Sequence, residues 1–228
     1  REVVLLKGYH RATDIAIQVD LMKIVGEKVD DAGATIVTCG IYNNDTSIQT
    51  HRGRCFSSAE NAYNDPNKPK KQVFLSYLAH LTLMPVRRSL AVADISDSPA
   101  WGGALLVSGV EQPVTLENLV MVNFAAKQFG GALLFMDLHQ TTLVNLNKCV
   151  FVGCYAGFDD KSDASTGAAF GGALAVLNAK VSVRSCSFGS SKSDFGGAIS
   201  VTSHAFVRNE QLRNSRHLKG NYITELRV

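Results

Sequence analysis

Phe129-Gly130-Gly131-Ala132-Leu133-Leu134-Phe135 contains one of four copies of an aromatic-Gly-Gly-Ala-Leu/Ile signature, and the recurrence decides the fold. The other copies begin at Trp101-Gly102-Gly103-Ala104, Phe170-Gly171-Gly172-Ala173 and Phe195-Gly196-Gly197-Ala198. Their first glycines stand 28, 41 and 25 residues apart (102 to 130, 130 to 171, 171 to 196). The long interval holds a polar run at 159–167, and removing roughly a dozen such loop residues restores the common spacing. A unit of about 25–30 residues that admits insertions at one place marks a chain of stacked repeats.

Upstream of each double glycine lies an apolar pattern with gaps of two, three and two. It runs Val114, Leu116, Leu119, Met121, then Val144, Leu146, Cys149, Phe151, then Val181, Val183, Cys186, Phe188. A looser copy is Ser76, Leu78, Leu81, Leu83. Period two on both sides of a one-residue slip describes two short strands joined by a tight bend with one face inward throughout. After the glycines, Leu105 and Val107, Leu133 and Phe135, Leu174 and Val176, and Ile199 and Val201 alternate in the same way. The expected fold is all-β: a right-handed parallel β-helix solenoid with three short strands per coil. A helical solenoid is excluded because no 3.6-residue period appears in these segments. The glycines allow positive φ and close approach of the next coil. Trp101, Phe129, Phe170 and Phe195 are expected to stack at the strand spacing of about 4.8 Å.

The Gly-Gly-Ala-Leu/Ile run after an aromatic, with a Cys-x-Phe strand before it, resembles the repeats of polymorphic outer membrane proteins. These belong to the pectin-lyase-like parallel β-helix group. Three coils match over about 114–203 and a fourth loosely back to Phe74, whereas the family's Phe-x-x-Asn signature is replaced by Phe151…Cys154 and Phe188…Ser191. The resemblance implies a surface-located rod with an adhesive role.

The N-terminal third is more degenerate. Ile15, Ile17 and Val19, then Leu21, Ile24 and Val25 up to Gly26, and Ile36-Val37 are assigned to early coils. One domain therefore covers 1–203, with degenerate coils at 1–73 and clear ones at 74–203. Residues 204–228 abandon the repeat and form a cap or tail; its arginines, including Arg208, Arg213 and Arg216, offer an anionic partner a surface in the other reading.

With 228 residues, a net charge of +3 and 19% charged residues, nothing in the composition suggests a nucleic-acid partner. No apolar run approaches the ~20 residues of a membrane-spanning helix. The chain begins at Arg1 without a signal-peptide pattern and is expected to be a mature chain or part of a larger protein. Five cysteines, Cys39, Cys55, Cys149, Cys154 and Cys186, leave at least one unpaired within the chain. Cys149 and Cys186 share one inward column, as buried thiols or as a disulfide between successive coils. Asn44-Asp45-Thr46 is a glycosylation sequon.

Candidate chemistry is sparse. Insertions at 85–100 and 155–169 leave the same turn of the repeat and bracket a coil in which that turn is short, 123–128. They carry Asp94, Asp97, Asp159, Asp160 and Asp163, which could bind Ca²⁺ or act as acid and base on a glycosidic bond. Against this, the outward strand positions Thr115, Glu117, Asn145, Asn147, Ser182 and Arg184 offer no acid pair on a rigid face. The six histidines are scattered without ligand spacing, His80 falling on the outer surface. Phosphate-loop, dinucleotide and β-roll calcium motifs are absent. The leading expectation is a non-catalytic, extracellular or cell-surface rod without cofactor or metal that contacts a surface glycan or protein. The alternative is a carbohydrate-active β-helix enzyme, a polysaccharide lyase or glycoside hydrolase, working through the aspartate loops.

Overall fold

A computed structural model describes residues 1–12, 15–17, 21–27, 35–39, 54–59, 75–85, 101–157, 168–201 and 206–211. The described residues form strands and turns without a helix, and every strand pairing among them is parallel. The largest sheet runs in the order Glu2–Leu5, Met22–Gly26, Leu75–Pro85, Val114–Val122, Leu143–Asn147, Lys180–Arg184 and Phe206–Gln211. Gly8–Ala12 and Thr35–Cys39 extend it alongside the second half of Leu75–Pro85. Val150–Val152 and Ser187–Gly189 do so beside Val114–Val122. A second sheet stacks Ile15–Ala16, Phe56–Ala59, Leu105–Ser108, Leu133–Met136, Leu174–Leu177 and Ile199–Val201. Each strand thus lies against its counterpart in the next repeat, an arrangement compatible with a β-helix-like solenoid.

The register is the one the apolar spacing requires. Leu78, Leu116, Leu146 and Val183 are paired in one file, and Leu83, Met121, Phe151 and Phe188 in another. All of these but Phe188 are essentially buried, and Phe188 packs against the core. Each fully buried Leu or Phe contributes about 2 kcal/mol of transfer free energy, so the files dominate stability. Ser76 is the exception. A register shift beside it turns Leu75 inward, and the Ser76 hydroxyl instead donates to the Met22 carbonyl at 3.1 Å.

The slip between the paired strands is a left-handed residue in four successive repeats: His80 (φ 57), Asn118 (48), Lys148 (53) and Ser185 (50). Further left-handed corners form the files Asn123, Gly153, Ser190 and Gly109, Asp137, Asn178. Asn and Asp tolerate this region best after glycine, because their short polar chains bond locally. Asn178 Nδ2 donates to Asp137 Oδ1 at 3.3 Å across one such file.

The signature corner uses its two glycines differently. Gly130 has φ +61, and a Cβ there would strike the Leu133 carbonyl. Gly131 has no positive φ, but a Cβ would run into the Gly172 and Tyr155 carbonyls of the next repeat. Backbone bonds close the contact: Gly130 N to Phe170 O at 3.0 Å and Gly131 N to Gly171 O at 3.1 Å.

The aromatic file stands as expected. Trp101, Phe129, Phe170 and Phe195 are joined by successive parallel bridges, with ring centroids 5.4 Å apart for Phe129–Phe170 and 5.0 Å for Phe170–Phe195. It lies at the surface: Trp101 is 41% exposed and Phe195 44%. A second stack is internal, Phe151 on Phe188 at 4.7 Å and parallel.

The insertions begin later than the spacing implies. Tyr155–Ala156 pairs with Ala125–Ala126, and Pro85 still belongs to its strand. Within the stretch beyond the repeats, Phe206–Gln211 adds a parallel strand beside Lys180–Arg184.

Candidate binding face

The aspartates Asp94, Asp97, Asp159, Asp160 and Asp163 lie outside the described residues, as do the sequon at Asn44 and the basic residues beyond 211. What the described residues do present is the outer face of the long sheet. Inward Leu116 and Leu146 force their neighbours outward, and parallel register lines these up: Tyr77, Thr115 and Asn145 in one row with Ser182, and Glu117, Asn147 and Arg184 in the next with Ala79, Ser182 and Ala79 themselves being buried.

These side chains hold one another. The Tyr77 hydroxyl donates to Glu117 Oε2 at 2.7 Å, and Asn147 Nδ2 lies 3.4 Å from Glu117 Oε1. Asn118 Nδ2 approaches His80 Nδ1 at 3.3 Å, so His80, expected on the outer surface, is a half-buried corner residue. Burial, followed by the hydrogen bond to Glu117 and its negative charge, pushes the Tyr77 phenol from 10.0 up to about 12. The phenol therefore stays a donor at neutral pH. Because its native value is raised, the stability it lends is complete below pH 10 and is lost as pH climbs towards 12. Melting temperature is expected to fall over that window, and Tyr77→Phe to flatten the fall.

Carboxylate, amide, imidazole and phenol on one rigid face offer donors and acceptors at fixed intervals, suited to sugar hydroxyls or peptide groups. Among the described residues of these rows Glu117 is the one carboxylate, so they hold no acid pair of the kind hydrolysis of a glycosidic bond requires. No group of three or more metal-ligating side chains occurs among the described residues. No helix there is long and apolar enough to cross a membrane, which says nothing of strands.

The cysteines divide into two sets. Cys39 and Cys55 form a disulfide across a sequence separation of 16. It ties the end of Thr35–Cys39 to a residue whose amide bonds Ala104 at 2.9 Å, linking the two sheets. No spacing motif marks this pair. Cys149, Cys154 and Cys186 are buried free thiols, so of the two alternatives for Cys149 and Cys186 the thiols are what is found. Cys186 Sγ accepts from the Cys149 amide at 3.3 Å. The thiol–thiol hydrogen bond, reinforced by burial, holds Cys149 well above the usual range, while the same bond lets Cys186 ionise first. Burial pushes Cys154 up to about 11. Because all three thiols are buried, Ellman's reagent should find no reactive thiol in the native protein, three after denaturation and five after reduction. Breaking the bridge by Cys39→Ala with Cys55→Ala should cost about 3 kcal/mol, the entropy of a loop that long, read as a lower urea midpoint.

Among the described residues, fold and face together define an all-β arrangement of parallel stacked repeats with rows of polar side chains on the long sheet. Neither a protein-family model, a curated protein nor a solved structure matches the chain.

Proposed function

We propose that the protein is a right-handed parallel β-helix of the pectin-lyase-like kind, three short strands to a coil, serving as a structural and adhesive rod at a cell surface or in secretion. The observation that carries this reading is the outer face: Tyr77, Glu117, Asn147 and their neighbours are held in register on stacked parallel strands. Extended, rigid faces of this sort suit repeat proteins to broad contacts with glycan or protein ligands. The Cys39–Cys55 bridge supports an oxidising, extracellular compartment, where such bonds persist. Resemblance to polymorphic outer membrane protein repeats supplies the adhesive role by analogy, since a fold alone does not choose a function.

The test is binding of the labelled protein to cells and to immobilised glycans, alongside Glu117→Ala with Asn147→Ala. Retention without product release, reduced at least tenfold in the double variant, is the expected result. The second reading is a carbohydrate-active enzyme working through the aspartate loops. In that case uronic-acid polymers would be cleaved, and Asp159→Ala or Asp160→Ala would stop turnover. Cleavage of that kind refutes the rod reading.

A further inference from the structure

Cys149 and Cys186 stand opposite each other in successive repeats. Asn147 pairs with Arg184 before them and Val150 with Ser187 after them, so the two cysteines share one register position. Each follows the left-handed residue of its corner, Lys148 or Ser185, and each is buried in the inward file that holds Leu81 and Leu119. The Cys149 amide donates to Cys186 Sγ at 3.3 Å, which holds that sulfur against the Cys149 backbone. Cys186 Sγ in turn reaches the Arg184 carbonyl at 3.2 Å, and Cys149 Sγ the Asn147 carbonyl at 3.5 Å. Cys154 is buried as well, but the residue at its register position in the next repeat is Ser191, as the Tyr155–Lys192 bridge requires.

We propose that Cys149 and Cys186 are a site of reversible oxidation, joined as a disulfide by hydrogen peroxide or a peroxide of similar size. Three observations carry the assignment. Parallel register sets the two Cα atoms about 4.8 Å apart, inside the span that a disulfide bridges. An amide aimed at the Cys186 sulfur favours its thiolate, the form that reacts, and Cys186 is the thiol of the pair that ionises first. Cys186 is also the least enclosed of the three thiols, 2% exposed where Cys149 and Cys154 are at 0%, so it is the one that a molecule little larger than water meets first.

The Cys186 thiolate attacks one oxygen of the peroxide and the O–O bond breaks. The departing hydroxide takes up the proton that Cys186 gave up on ionising and leaves as water, and Cys186 now carries a sulfenic acid. The Cys149 sulfur then attacks the Cys186 sulfur, the S–O bond breaks, and the hydroxide released takes the Cys149 proton as a second water. Two thiols have lost two electrons, and one peroxide has been reduced to two waters. The Cβ atoms, set at the same strand spacing as the Cα atoms, must draw together to the roughly 3.5–4.5 Å of a disulfide. The bond is therefore strained and readily reduced, which makes the step reversible. It ties two repeats across a sequence separation of 37, beside Asn147 and Arg184 of the polar face.

Hydrogen peroxide treatment of the native protein decides the matter, followed by alkylation in urea and peptide mapping without reductant. The expected product is the Cys149 peptide joined to the Cys186 peptide with Cys154 alkylated, and the count by Ellman's reagent in urea falls from three to one. Dithiothreitol should separate the joined peptides. In Cys149→Ser, dimedone should trap the sulfenic acid on Cys186 at least tenfold more than on Cys149 in Cys186→Ser. The wild-type map stands by itself if either variant fails to fold. A count that stays at three, consumption of Cys154 equal to that of the pair, or oxidation of Cys186 to a sulfinic acid without a link overturns the proposal. When the protein is oxidised in urea, the link should shift to Cys149–Cys154, the nearest cysteines in sequence. A Cys149–Cys186 link undiminished there also overturns it, since register would then not be what makes the pair.

Discussion

Gly131→Ala is expected to destabilise the protein by about 3 kcal/mol or more, at the severe end for one added methyl group, because no flexible side chain is available to yield. The new Cβ would meet the carbonyl oxygens of Gly172 and Tyr155, both backbone atoms of the next repeat, while the Gly131 amide is committed to Gly171 O. Relief requires the two repeats to separate locally, breaking the Gly130–Phe170 and Gly131–Gly171 bonds together. The matching control is Gly189→Ala. That glycine has no positive φ, and an added Cβ would meet only Phe151 O, at an ordinary 3.8 Å. Its unfolding free energy, read by urea titration, should stay within about 0.5 kcal/mol of wild type. Equal losses at both positions would show that close approach between repeats is not what the double glycine serves.

Phe151→Ala should cost about 3–5 kcal/mol, the range for emptying a large aromatic site in a core that cannot collapse. Phe151 is wholly buried between Met121 and Phe188 in its file, its ring parallel to that of Phe188. Neighbouring strands are pinned by ladder bonds at both sides, so the void persists. Phe170→Ala is the instructive comparison. Its ring also stacks on two neighbours, yet its file is at the surface, and about 1–2 kcal/mol is expected from lost stacking and partial burial. Denaturation midpoints rank the two. Amide exchange should further show Phe151→Ala loosening Val150–Val152 and Ser187–Gly189 before distant strands, as nearest-neighbour stability in a repeat array requires.

The inward files were legible because a side chain's direction follows from period two, and a one-residue slip can only be a tight bend. The left-handed corners at His80, Asn118, Lys148 and Ser185 were half legible. Their place followed from the gap of three, but four different side chains occupy them, so no residue type announced the conformation. Leu134 and Ala175 show where alternation misleads. Both occupy outward positions between inward Leu and Val or Phe, yet both are fully buried, the Leu134 Cβ lying close under the Gly102 turn. That covering comes from a neighbouring repeat and leaves no trace in local pattern. The polar face was legible as single letters, Glu117 and Asn147 among them. Tyr77 was missed, because its partner Glu117 stands 40 residues away and only the register brings them together.

From the chain alone came the repeat, its length, the parallel pairing of like with like, and the aromatic file, since each depends on spacing within one unit. The tertiary structure decided which aromatic stack is internal, that Cys39 meets Cys55 while Cys149 and Cys186 remain thiols, and that Tyr77 meets Glu117 on the long sheet. Those outcomes turn on what the adjacent repeat places against a residue. Covalent spacing sets direction, whereas exposure and partnership are set by neighbours remote in sequence.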